Sequence, residues 1–125
     1  MKRLLAVIVA ALAVSGCSSA GSPPGSAGST AGQVNSAEAA VARVVAENRA
    51  LTGIGPEDPE LIGGCCFWRA EETDSGFEVV FEVGWGDCPA GCIDRHRWTY
   101  AVGRDGSVEL LREEGPTVPP DVLPR

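Results

Sequence analysis

The sequence predicts an α+β domain, one N-terminal helix packed on a four-stranded antiparallel meander. Three observations predict it. Residues Asn35 to Leu51 repeat apolar side chains at helical spacing. Two later stretches, Phe77 to Trp85 and His96 to Val102, alternate apolar and polar with a period of two. Arg104-Asp105-Gly106 follows the second stretch as a tight-hairpin signal.

Each element has its own warrant. In the helix, Asn35 is placed to cap, with Glu38 three residues on as in a capping box. Ala37, Val41, Val44, Val45 and Asn48 then share one face, and Gly53 stops the helix. Gly55 to Glu60 carries two prolines and three acids, which predicts a loop. Cys66 to Ala70 reads as a short first strand, and Glu71 to Gly76 as a polar turn. In the second strand Phe77, Val79, Phe81, Val83 and Trp85 face the helix; Glu78, Val80, Glu82 and Gly84 face away. In the third, Trp98, Tyr100 and Val102 point inward and Arg97 and Thr99 outward. That parity puts Glu82 and Arg97 on one face, where they can pair across strands. Val108 to Arg112 closes the sheet. The face away from the helix is half polar and is expected to be wet.

The ends of the chain read differently. Lys2 and Arg3 precede an unbroken apolar run, Leu4 to Val14, and small residues follow it. These are the parts of a secretory signal peptide over residues 1–16. The run is too short for a membrane span, which needs about 20 apolar residues. The residues Val14-Ser15-Gly16-Cys17 resemble the lipobox of bacterial lipoproteins. That resemblance implies cleavage before Cys17 and a thioether-linked diacylglycerol on it. Residues 17–33 then form the lipidated cysteine and a flexible linker, because Ser18 to Gly32 holds no charge and no large apolar side chain. Residues 34–115 form the small domain. Residues 116–125, with Pro116, Pro119, Pro120 and Pro124, read as an extended Pro-rich tail. The expected location is the cell envelope, lipid-anchored, with the domain on the extracytoplasmic side.

Composition excludes several function classes. Without residues 1–16 the ten basic residues fall to eight against 17 acidic ones, a net charge near −9. Such a surface repels nucleic acid, so none is expected as a partner. Lys2 is the only lysine, so the mature chain has no lysine to form a Schiff base or act as a nucleophile. One histidine, His96, and one tyrosine, Tyr100, remain.

Four cysteines follow Cys17, namely Cys65, Cys66, Cys88 and Cys92, and an exported domain with an even count is expected to oxidise them all. Of the three possible pairings, the one that joins Cys65 to Cys66 and Cys88 to Cys92 is disfavoured, because adjacent cysteines close a strained ring around a peptide bond. The other two pairings staple the Cys88–Cys92 loop to the first strand. They meet a difficulty, because a Glu71–Gly76 turn sets Cys66 opposite Phe81, far from Cys88. Either the loop folds back over the sheet or the register slips. A four-cysteine zinc site is disfavoured by the vicinal pair, since zinc ligands come with two to four residues between them. No metal and no cofactor is expected.

The segment from Trp85 to Tyr100, containing W-x-D-C-P-x-G-C-I, resembles a motif of uncharacterised bacterial lipoproteins and secreted proteins. The resemblance implies a small helix-plus-sheet domain with a D-C-P-x-G-C loop before a strand, and no catalytic residues.

The candidate binding residues are Asp87, Asp94, Arg95, His96 and Arg97, charges of both signs in and beside that loop. A loop on a rigid sheet suits recognition. His96 also reads as a strand-end residue packed beside Trp98, and a lone histidine with no nucleophile builds no triad. No catalytic residue is assigned. Trp68, Trp85 and Trp98 fall in the inward set and read as core. Glu57, Asp58 and Glu60 lack calcium-loop spacing. The expected function is a tethered binding module with an envelope protein as partner and no enzymatic activity. A cystatin-like or PepSY-like inhibitor or accessory protein of an envelope enzyme is the alternative, on fold analogy.

Overall fold

A computed structural model describes residues 32–124. The signal peptide, Cys17 and most of the linker lie outside the described residues. The architecture is α+β, a helix α1 (Ala37–Glu47) against a five-stranded sheet. The strands are β1 (Gly55–Pro56), β2 (Cys66–Thr73), β3 (Gly76–Trp85), β4 (Asp94–Gly103) and β5 (Val108–Glu114), side by side in chain order. The last four form the expected antiparallel meander. The fifth, β1, corrects the sequence reading. Gly55–Pro56 pairs parallel with Phe67–Trp68 and puts a two-residue edge on what reads as a loop.

The helix is capped one residue later than the sequence suggests. Ser36 sits in extended conformation and its Oγ accepts from the Ala39 N–H at 3.2 Å. A capping box on Asn35 does not form, because the helix begins at Ala37. Asn48 ends it. Its Oδ1 turns back to accept from the Ala50 N–H at 3.3 Å, which starts a 3₁₀ turn over Arg49–Leu51. Ala40, Val41 and Val44 face the sheet and meet Val79, Phe81, Val83, Tyr100 and Val102. Arg43 donates two hydrogen bonds, at 3.0 and 2.9 Å, to the Gly106 carbonyl and clamps the helix to the β4–β5 hairpin. That hairpin is the one expected. Asp105 accepts from the Ser107 N–H at 3.0 Å, and Gly106 takes a positive φ of 85°.

The β2–β3 register differs by two residues from the sequence expectation. Both strands extend further, so the turn is only Asp74–Ser75 and Thr73 faces Gly76. Cys66 therefore lies opposite Val83, not Phe81. The β4–β5 ladder shifts between Thr99 and Tyr100 of β4, and Leu111 is the extra residue of a bulge on the edge strand β5.

The Pro-rich C-terminal segment packs on the domain. Val118, Val122 and Leu123 lie against the core, and Pro124 lies against Gly53. The three tryptophans are half-buried and also border the core.

Candidate functional site

The strands β3 and β4 carry the candidate residues, and pleating divides them. Opposed residues of an antiparallel pair point to the same face. His96 opposes Val83 and Asp94 opposes Trp85, so both belong to the helix side. Arg97 opposes Glu82 and Arg95 opposes Gly84, on the open side. Asp87 stays in the loop, exposed, just before a 3₁₀ turn over Cys88–Ala90. The five residues therefore form two separate clusters and a loop position, not one surface.

On the open side Glu82 is the centre. Its side chain is 3% exposed and bridges two arginines. Oε1 accepts from Arg95 at 2.5 Å, and Oε2 accepts from Arg97 at 2.5 and 3.1 Å. Burial alone would raise the Glu82 pKa; the bonds from Arg97 and then Arg95 outweigh it and hold the carboxyl below its usual range. The guanidinium of Arg97 is stabilised in turn, its pKa raised by the same bond. The pairing of Glu82 with Arg97 was legible from strand parity. Its second partner, Arg95, was not, since it sits diagonally across the ladder.

On the helix side His96 is buried. Its Nδ1 lies 2.8 Å from the Pro116 carbonyl and its Nε2 3.1 Å from Glu113 Oε1. The Trp98 ring packs on it, with centroids 4.2 Å apart. Both ring nitrogens are engaged, so His96 pins the C-terminal segment to the sheet. It has the geometry of a packed strand residue and not of an accessible base.

The cysteine loop folds back over the sheet. Cys88 and Cys92 are joined to each other, the pairing the sequence reading disfavoured. Gly84 makes the fold-back fit. A Cβ there would stand 2.6 Å from Cys92 Sγ and 2.7 Å from its Cβ, closer than atoms pack. The expectation that all four cysteines are cross-linked is corrected for the other pair. Cys65 and Cys66 are thiols whose sulfurs lie 2.7 Å apart. No staple joins the loop to β2.

Two loops meet at this end of the sheet. Gly63, in the β1–β2 loop, packs on the backbone carbonyls of Cys88 and Pro89. On these two loops Leu61, Ile62 and Ile93 stand exposed at 63%, 92% and 75%. A cavity of about 210 Å³ opens beside Leu61, bordered also by Glu57, Asp58, Cys66, Phe67 and Arg95. Sequence reasoning missed these apolar residues, because Leu61-Ile62 is a pair and Ile93 a single residue, too short to show a period. The chain enters at the other end, where the Val34 N–H donates to the Arg104 carbonyl at 2.9 Å. The ten residues of β4 separate the two ends by roughly 30 Å.

Among the described residues, no helix is long and apolar enough to cross a membrane, and no group of three or more His, Cys, Asp or Glu is arranged to hold a metal ion. No curated protein and no solved structure matches the chain. One family model does, the prokaryotic membrane lipoprotein lipid attachment site, over residues 1–18. The chain therefore carries the export signal and lipid-attachment site of a bacterial envelope lipoprotein.

Proposed function

We propose that this domain is a non-catalytic binding module. It is held to the membrane through Cys17 on the extracytoplasmic side, and it presents the loop end of its sheet to an envelope protein. The observation that carries the reading is the exposed Leu61, Ile62 and Ile93 on two loops that brace each other. Large apolar side chains left in water at one end of a sheet offer the apolar contact that an interaction site uses. They sit at the end of the sheet away from the linker, where a partner meets the least obstruction. Arg95, beside them and clamped by Glu82, adds a positioned charge at low entropic cost. The burial of His96 between Trp98, Glu113 and Pro116 favours binding over turnover.

Site-specific photocrosslinking in intact cells tests it. A crosslinker at Ile62 or Ile93 should yield one discrete envelope-protein adduct, and Ile93→Asp should abolish the adduct formed from position 62. A crosslinker at Asp74, at the linker end, should yield none. Equal crosslinking from Asp74 refutes the placement. A turnover activity that disappears in His96→Ala, with folding intact, refutes the non-catalytic reading.

A further inference from the structure

Cys65 and Cys66 are the only described cysteines left as thiols, and they are adjacent in the chain. Neighbouring residues of a strand point to opposite faces, which would part the two sulfurs. Here they are together, 2.7 Å apart, because β2 begins only at Cys66. The backbone around them is held. The Cys65 carbonyl accepts from the Gly84 N–H at 2.5 Å, Cys66 is paired opposite Val83, and Gly63 rests on the Cys88 carbonyl. The thiols differ in access, since Cys65 is exposed and Cys66 half-buried at the edge of the cavity.

We propose that Cys65 and Cys66 form a reversible thiol–disulfide exchange site whose substrates are disulfides, of small thiols or of other envelope proteins. Cys65 is the attacking residue because it is reachable. Its thiolate attacks one sulfur of the incoming disulfide, and a mixed disulfide forms on Cys65 as the first thiol leaves and takes up a proton. Cys66, deprotonated, then attacks the Cys65 sulfur. The second thiol leaves, and a bond joins Cys65 to Cys66. Two cysteine thiols have lost two electrons and two protons, and the incoming disulfide has become two thiols. The ring so formed contains a peptide bond that resists departing from planarity, so an excess of thiol reopens it readily.

The environment sets the order of the two steps. Burial, then the hydrogen bond and charge of Cys65, push the Cys66 thiol up to about 12. Cys66 therefore keeps its proton and is a poor first attacker. Two of those influences come from the Cys65 thiol and vanish once Cys65 is capped, which releases Cys66 for the second step. The rival route is attack on the neighbouring Cys88–Cys92 bond, since Cys92 Sγ and the Cys65 carbonyl both lie against Gly84. This inference does not depend on the binding function proposed above.

Peptide mapping separates the routes. Tryptic cleavage after Arg49, Arg69 and Arg95 puts Cys65 and Cys66 in peptide 50–69, and Cys88 and Cys92 in peptide 70–95. The full-length lipoprotein in detergent is incubated with oxidised glutathione, quenched with iodoacetamide and digested without reduction. Peptide 50–69 should appear two hydrogens lighter, without glutathione and not linked to 70–95. Excess reduced glutathione should restore its two alkylatable thiols. Cys66→Ser should trap glutathione on Cys65, whereas Cys65→Ser should form its adduct roughly tenfold more slowly, because Cys66 is half-buried and its burial still disfavours the thiolate. Full alkylation of both cysteines after the oxidised-glutathione step overturns the proposal. So does a wild-type adduct that persists on Cys65, or a 50–69 peptide cross-linked to 70–95.

Discussion

Replacing Glu82 by Gln should destabilise the protein by about 2–3 kcal/mol, a figure that follows from its two arginine partners. A hydrogen bond to a charged group contributes about 1.5–3 kcal/mol. Glu82 holds two such partners while itself 3% exposed. The arginine side chains are 45% and 43% exposed, so water resolvates them once the carboxylate is gone and the loss stays well below the sum. For a domain of this size each 1 kcal/mol moves the melting temperature by about 4–8 °C, so a fall of about 10–20 °C is expected. The assay is thermal denaturation of the purified lipoprotein followed by circular dichroism at two pH values. Because the folded pKa of Glu82 is held below its unfolded value, its contribution is complete above the unfolded carboxylate pKa of about 4.3 and is lost as pH falls through the folded value. The gap between wild type and Glu82→Gln should therefore be full at neutral pH and persist through mildly acidic pH. It should close only below the ordinary carboxylate range. A difference under about 0.5 kcal/mol at neutral pH, the level of an ordinary surface substitution, would refute the reasoning. So would a gap that stays constant into strong acid.

Gly84→Ala should cost about 1–3 kcal/mol in the oxidised protein, because its methyl meets Cys92 Sγ at 2.6 Å. Cutting the Cys88–Cys92 bond lets that sulfur move, so urea titration with and without reductant should show a smaller penalty in the reduced form. Truncation after Gly115 removes Pro116, Val118, Val122 and Leu123 from their contacts with His96 and the core. It should lower the melting temperature and raise binding of a hydrophobic dye, and an unchanged melting curve would show the segment to be dispensable.

What the sequence determined by itself was whatever rests on parity and local chemistry. Alternation decides which face of a strand each side chain takes, so the inward set Val79, Phe81, Val83, Tyr100 and Val102 was readable, and so was Glu82 beside Arg97. The Asp105-Gly106 turn and the lipid-attachment site rest on a few contiguous residues and were equally legible. The same parity separates Arg95 and Arg97 from His96, although shared charge and proximity in the chain suggest one surface.

Only the tertiary structure decided the β2–β3 register. A slip of two residues leaves every side chain on its own face, so a period of two cannot distinguish Cys66 opposite Phe81 from Cys66 opposite Val83. The cysteine pairing depends on that register and on the loop's path over Gly84, and composition encodes neither. Strand β1 is two residues long and has no period to read. The C-terminal segment lacks periodicity too, since prolines space its apolar residues irregularly. Its burial comes from its bond to His96 and from the core surface it packs on, and that surface exists only once the sheet is folded.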